Sequence, residues 1–254
     1  MPSTILLSPD THPLRTLTLA RLQLTQADPV CHLSTGGEEV LLYPLIGTVR
    51  VRDAAQDWGT LGGRRAVTEP GVQALRFAAG RAHAITVQLV GYAADLLVAS
   101  CVVDIGAVAT VAHREDVAIH DVGSASHRRE VRVLPTPLGY QLHVGETLAP
   151  AGHWSSWPSH AAPEDLSRYE EHEEVFFVVT PGRYGLIRFD GLFCDGSVAK
   201  GVHVVENGDA LVTPLGAHEI VAAPEAWLYY AWVYRSFLRK TYNAASTDCS
   251  VYVK

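Results

Sequence analysis

Three side chains in the second half of the chain are of types that bind a divalent metal. His160 ends the segment WSSWPSH, Glu174 begins an apolar run, and His218 follows a Pro-Leu-Gly-Ala turn. Neutral imidazole and carboxylate together suit Zn, Mn, Fe or Ni. The three residues therefore form a candidate metal site, and the sequence leaves the identity of the ion open.

His172 is a candidate fourth ligand. Side chains at positions i and i+2 of a strand share a face, so His172 and Glu174 can point to the same side. The alternative is purely structural, because a glutamate at a strand start is usually solvated and near-pairs arise by chance among 12 histidines. Both interpretations stay open at this point.

The first half of the chain repeats part of this pattern. Glu39 precedes His83 by 44 residues, and Glu174 precedes His218 by the same distance, with a strand, a turn glycine and a second strand between them. Equal separation of similar features indicates a duplication. His32 is the one evident histidine partner for Glu39, so we expect this first set to be structural and free of metal.

Other polar and aromatic residues are candidates for substrate contacts. Period-two alternation places Arg188 on the face opposite Ile187. If that face is interior, the guanidinium needs an anion such as a substrate carboxylate; the alternative is a surface arginine. Tyr230 alternates with Tyr229, so one of the two is core, and Arg129 is a further polar candidate. The tryptophans are expected to be packing residues or a sugar-stacking wall.

Strands must position these residues, since 21 glycines and 14 prolines divide the chain into short apolar pieces. β-branched runs of four to eight residues predict strands. They cover residues 40–43, 47–52, 84–90, 96–103, 141–144, 174–179, 184–189, 210–213 and 227–234. Short helices are expected only at residues 163–169 and 233–243.

Strand spacing and the repeat together predict an all-β fold of two stacked β-barrels. We expect an N-terminal domain at residues 1–120, without metal. A C-terminal domain at residues 121–254 is expected to carry the metal and substrate site.

Composition excludes several functional classes. The 20 basic and 27 acidic residues give a net charge of −7 without a long basic run, which argues against nucleic-acid binding. Neither a membrane span nor a signal sequence is evident. The four cysteines stand 45 or more residues apart and are expected to be free thiols, so we expect a cytoplasmic protein. A homo-oligomer is compatible with the sequence.

The motifs of the second half resemble the 5-deoxy-glucuronate isomerase family of myo-inositol catabolism, whose members are bicupins related to the 5-keto-4-deoxyuronate isomerases. The resemblance spans nearly the whole chain, and its segments are residues 56–64, 77–83, 145–160, 173–177, 208–218 and 228–230. The Trp-Ser-Ser-aromatic-Pro-x-His block is its most specific part. The implied fold is a bicupin of two cupin-type jelly-roll barrels with few short helices.

The resemblance implies a metal-dependent aldose–ketose isomerase of a deoxy uronic acid. The metal ligands His160, Glu174 and His218 match the family pattern. The family's second histidine falls on Ala162, which cannot bind metal, and His172 is the candidate replacement. The resemblance also makes Arg188 the favoured partner of the substrate carboxylate, with Arg129 second.

A proton must move from the α-carbon toward the carbonyl in such a reaction, and a cation would stabilise the developing charge. Because Glu174 would be a ligand, the candidate acid–base residues are His172, Glu173 and Tyr230. The sequence does not choose among them.

Two functions therefore remain from the sequence. One is the metal-dependent isomerase of inositol catabolism, acting on a small sugar acid. The other is a divergent cupin that binds a small sugar acid, or performs other cupin chemistry, and has lost isomerisation with the ligand missing at Ala162.

Overall fold

Short β-branched and aromatic runs form strands throughout the chain. The structure is a computed structural model that describes residues 2–103, 109–137, 139–160 and 172–236, with the backbone alone for 158–160 and 236. Among these residues the only helices are two 3-10 turns, Arg114–Asp116 and Ala125–His127, and none is long and apolar enough to cross a membrane. Cys31, Cys101 and Cys194 are free thiols, as expected.

The described chain divides into two compact units, and three segments form each. Unit 1 comprises Met1–Ser8, Thr16–Val117 and Leu134–Leu142; unit 2 comprises Pro9–Arg15, Ala118–Val133 and the chain from His143 on. The domain boundary expected at residue 120 stays a prediction.

The described residues of unit 1 form one sheet of eight strands. The strands are β1 (Ser3–Leu7), β2 (Leu17–Thr25), β3 (Val30–Ser34), β4 (Glu39–Arg52), β5 (Asp57–Gly62), β6 (Ala74–Phe77), β7 (Ala84–Cys101) and β8 (Thr110–Ala112). β4 and β7 are long, and each merges two of the predicted strands. The core of unit 1 includes Leu42, Val49, Leu75 and Leu96.

The described residues of unit 2 form two sheets. Its strands are β9 (Ala118–Val122), β10 (Arg129–Val133), β11 (Leu142–Ala149), β12 (Trp154–His160), β13 (His172–Val179), β14 (Gly185–Leu192), β15 (Val198–Val205), β16 (Ala210–Thr213), β17 (Leu215–Ala222) and β18 (Leu228–Ser236). The sheet orders are β16-β13-β18-β11-β10-β9 and β12-β17-β14-β15. The helix expected at residues 233–243 is wrong over 233–236, which continue β18, and the helix at 163–169 lies outside the described residues.

A core between the two sheets fills unit 2. It contains Phe176, Ile187, Phe189, Ile220 and Trp232 among its buried residues. We call the strand faces that line this core the interior face. The described strands leave the sheets open at their ends, so the unit is a jelly-roll sandwich rather than a closed barrel.

The strand pairing of unit 1 recurs in unit 2. The first part of β4 pairs with β6 and with the second part of β7, as β13 pairs with β16 and β18. The second part of β4 pairs with β5 and with the first part of β7, as β14 pairs with β15 and β17. The prediction of a duplicated all-β fold is therefore confirmed.

Candidate metal and substrate site

Glu174 and His218 meet inside unit 2. Glu174 shares the interior face of β13 with Phe176, and His218 shares that of β17 with Ile220. The distance from His218 Nε2 to Glu174 Oε2 is 3.9 Å, and both side chains are less than one tenth exposed. The backbone of His160 pairs directly with that of His218, and the His160 side chain lies outside the described part.

Neighbouring side chains fix the pair. Thr213, opposite Glu174 in the ladder, donates its hydroxyl to Glu174 Oε2 at 3.0 Å. The His218 ring packs edge-on against Phe176 with centroids 5.3 Å apart. Thr213 was missed in the sequence, although alternation along the predicted strand at residues 210–213 could have placed it.

Burial disfavours the charged form of the Glu174 carboxyl group. Removal from water raises the pKa of Glu174 to about 7, and the Thr213 hydrogen bond offsets only part of that effect. A nearby cation would favour the charged form.

These residues fit a divalent cation. The 3.9 Å gap exceeds a hydrogen bond and lies below about 4.2 Å, which is the largest separation of two ligand atoms that are each about 2.1 Å from one ion; tetrahedral ligand atoms would lie about 3.4 Å apart. A carboxylate and an imidazole are ligand types shared by Zn, Mn, Fe and Ni. Within the described residues no third His, Cys, Asp or Glu joins them.

His172 lies on the interior face two residues from Glu174 but outside the pair. Its ring stacks on Tyr234 with centroids 5.2 Å apart, and Tyr234 also contacts the ring of His143 at 5.7 Å. Burial lowers the pKa of His172 to about 4, so the ring is neutral at pH 7. Its Nδ1 has no hydrogen-bond partner among the described residues. Alternation along the strand predicted at residues 141–144 could have identified His143 as a neighbour of this cluster.

Tyr230 is the interior member of the tyrosine pair. Its hydroxyl lies 2.5 Å from Ser155 Oγ, and its ring packs on Phe176. Tyr229 occupies the opposite face and donates to Glu146 Oε2 at 2.6 Å. Trp154 and Trp157 are both more than one third exposed, with ring centroids 6.0 Å apart.

Glu173 does not face the site. It alternates with Glu174 and lies on the opposite face of β13, where Arg235 Nη1 is 3.7 Å from its carboxylate. The backbone N–H of Arg15 also donates to Glu173. Glu173 therefore lies on the face away from the Glu174–His218 pair, and its acid–base role stays a prediction that this position does not favour.

Arg188 also points away from the core. Its neighbours Ile187 and Phe189 are interior, and Arg188 Nη1 donates to Glu219 at 3.1 Å. A second hydrogen bond reaches Asp190 at 2.9 Å. The expectation of an interior Arg188 is wrong, and the surface alternative describes it.

In the described part of the first half, the residues at the equivalent positions form no such carboxylate–imidazole pair. In unit 2, Glu174 pairs with Thr213, the last residue of β16. In unit 1, the residue at the equivalent place is Val40, which pairs with Phe77, the last residue of β6, and lies in the core. Glu39 lies one residue away on the other face and accepts the backbone N–H groups of residues 141 and 142, each at 2.8 Å. His83 is 2.9 Å from Asp53, and His32 is exposed. The repeat of Glu39 and Glu174 is therefore offset by one residue.

Fold and site together define a duplicated jelly-roll protein of the cupin class, with a buried carboxylate–imidazole pair in the second unit. The chain belongs to the KduI/IolB family, whose model matches residues 4–250. The family expected from the sequence motifs is therefore confirmed.

Individual relatives agree with this assignment. A 5-deoxy-glucuronate isomerase from Shouchella clausii (strain KSM-K16) is 26% identical over 212 residues, which cover 81% of this chain and 76% of the relative. An IolB-like protein from Salmonella typhimurium LT2 has a TM-score of 0.79 at 21% identity, covering 92% of this chain and 89% of that one. A Bacillus subtilis oxalate decarboxylase with Mn(II) centres has a TM-score of 0.59 at 9% identity, covering 95% and 77%. The predictions of a cupin fold and of an isomerase of this family are confirmed.

Proposed function

We propose that this protein is a metal-dependent aldose–ketose isomerase that acts on a deoxy uronic acid related to 5-deoxy-glucuronate, in inositol catabolism. The observation that carries the proposal is the buried Glu174 carboxylate facing His218 at 3.9 Å. The family and the printed activity of the Shouchella relative support the reaction class.

Glu174 and His218 would hold the metal, with His160 as the third ligand beside His218 in the ladder. A divalent cation bound there would polarise the carbonyl and hydroxyl oxygens of the substrate. Thr213 and Phe176 keep the two ligand side chains in place, so little reorganisation is needed on binding.

Two residues on the interior face remain as candidates for the proton transfer. The neutral ring of His172 offers its Nδ1 to a substrate hydroxyl, and the Tyr230 hydroxyl is coupled to Ser155. A jelly-roll interior excludes water, which strengthens each of these polar interactions.

The test is conversion of 5-deoxy-glucuronate by the purified protein, before and after chelation and after return of Mn²⁺, Zn²⁺, Fe²⁺ or Ni²⁺. We expect activity that disappears on chelation and returns with one of these ions. Full activity after complete removal of metal would overturn the metal dependence.

Ala162 favours a second function. The family pattern has a histidine there, and alanine provides no ligand. A cupin that binds a sugar acid without isomerising it would bind metal and acid but convert none of the acid in the same assay.

A further inference from the structure

Arg129 holds a buried positive charge on the interior face of β10. The residue is 7% exposed, and Val131 and Val133, which share its face, pack against the core of unit 2. Its Nη1 donates to the backbone carbonyl oxygens of His127 at 3.1 Å and Trp157 at 3.4 Å. These carbonyls orient the guanidinium but do not neutralise it.

Other strand arginines of unit 2 have carboxylate partners. Arg132 contacts Glu146 at 2.6 Å, Arg235 contacts Glu173 at 3.7 Å, and Arg188 contacts Glu219 at 3.1 Å. In the described part of the chain no Asp or Glu lies within ion-pair distance of Arg129. A buried charge is costly unless an anion compensates it, and a guanidinium matches the two oxygens of a carboxylate.

We propose that Arg129 binds the carboxylate of the sugar acid and gives the site its preference for an acid over a neutral sugar. This inference rests on the proposed function for the identity of the ligand. The guanidinium of Arg129 lies on the face of its sheet that lines the core, whereas the guanidinium of Arg188 points away from the core.

The position of Arg129 suits an open-chain uronate that reaches the metal ligands with its other end. Its contact to Trp157 anchors it to β12 three residues before His160, at most about 10 Å along an extended strand. Five carbon–carbon bonds and one hydrogen bond span about 9 Å. The two lengths are similar, and the inference requires the carboxylate to lie at Arg129 while the carbonyl end approaches the ligand set.

Calorimetric titration of the metal-loaded protein with glucuronate and with its neutral amide, glucuronamide, tests this role. Arg129→Met should weaken glucuronate binding by about ten- to hundredfold and leave glucuronamide unchanged. Arg129→Lys, which keeps the charge but loses the planar fork, should give a smaller loss. Arg188→Met is the matched control and should bind both compounds like the wild type.

Equal glucuronate affinity in wild type and Arg129→Met would overturn the inference, as would a wild type that does not prefer glucuronate over glucuronamide. If Arg129→Met does not fold, the loss in Arg129→Lys decides, because a purely structural role predicts equal loss for both compounds. If glucuronate binding depends on Arg129 but the protein shows no isomerase activity, only the proposed function is refuted. Normal activity with an unchanged KM in Arg129→Met refutes only the role of Arg129.

Discussion

Glu174→Gln should remove a pH-dependent loss of stability from the metal-free protein. Burial raises the pKa of Glu174 from 4.5 in the unfolded chain to about 7 in the folded protein. A raised carboxyl pKa contributes stability that is fully present below pH 4.5 and lost as pH rises through about 7. The shift corresponds to about 3 kcal/mol between the two ends of that window.

Urea unfolding followed by tryptophan fluorescence, after chelation, measures this difference at pH 5 and pH 8. We expect Glu174→Gln to be more stable than the wild type at pH 8 by about 3 kcal/mol and to lose most of that advantage at pH 5. The exposed Glu206→Gln is the matched control and should follow the wild type.

Metal provides the second half of the test. At pH 8, free cation at 100 times its dissociation constant should stabilise the wild type by about 2.7 kcal/mol, and Glu174→Gln by much less. The reasoning fails if wild type and Glu174→Gln show the same pH dependence, because the carboxylate would then not be buried as a destabilised anion.

Three further substitutions test other contacts of the structure. Gly145→Ala should lower the unfolding free energy by about 1–3 kcal/mol in a urea titration, because its Cβ would collide with the ring of Trp232, and unchanged stability would contradict that packing. Glu39→Gln should cost about 1.5–3 kcal/mol by weakening two charge-assisted hydrogen bonds without altering metal content, and loss of metal would contradict its structural role. His172→Ala should leave the metal content unchanged by elemental analysis, since its ring stacks on Tyr234 away from the ligand pair; a loss of metal would make His172 a ligand.

The sequence predicted the strands of the core well because their signal is local. The strand predicted at residues 174–179 lies within β13 and the one at 210–213 coincides with β16, and both segments are short runs rich in apolar residues. The continuity of β4 was hidden because Pro44 and Gly47 resemble strand ends. In the fold the two residues lie at register irregularities, and a side chain at Gly47 would collide with the carbonyl oxygen of Ala93.

Errors about the site came from the choice of face. Alternation shows that Glu173 and Glu174 point to opposite sides, yet only the packing of β13 against β17 decides which side is interior. Arg188 was misplaced for the same reason, since Glu219 becomes its neighbour only through the pairing of β14 with β17. The offset between Glu39 and Glu174 is a single residue, which strand pairing resolves and sequence spacing does not.

Elemental analysis of the purified protein and of His218→Ala tests the central claim most directly, with His83→Ala as the matched control from unit 1. We expect stoichiometric divalent metal in the wild type and in His83→Ala, and none in His218→Ala at a similar melting temperature. Full metal content in folded His218→Ala would contradict the assignment of the site to Glu174 and His218.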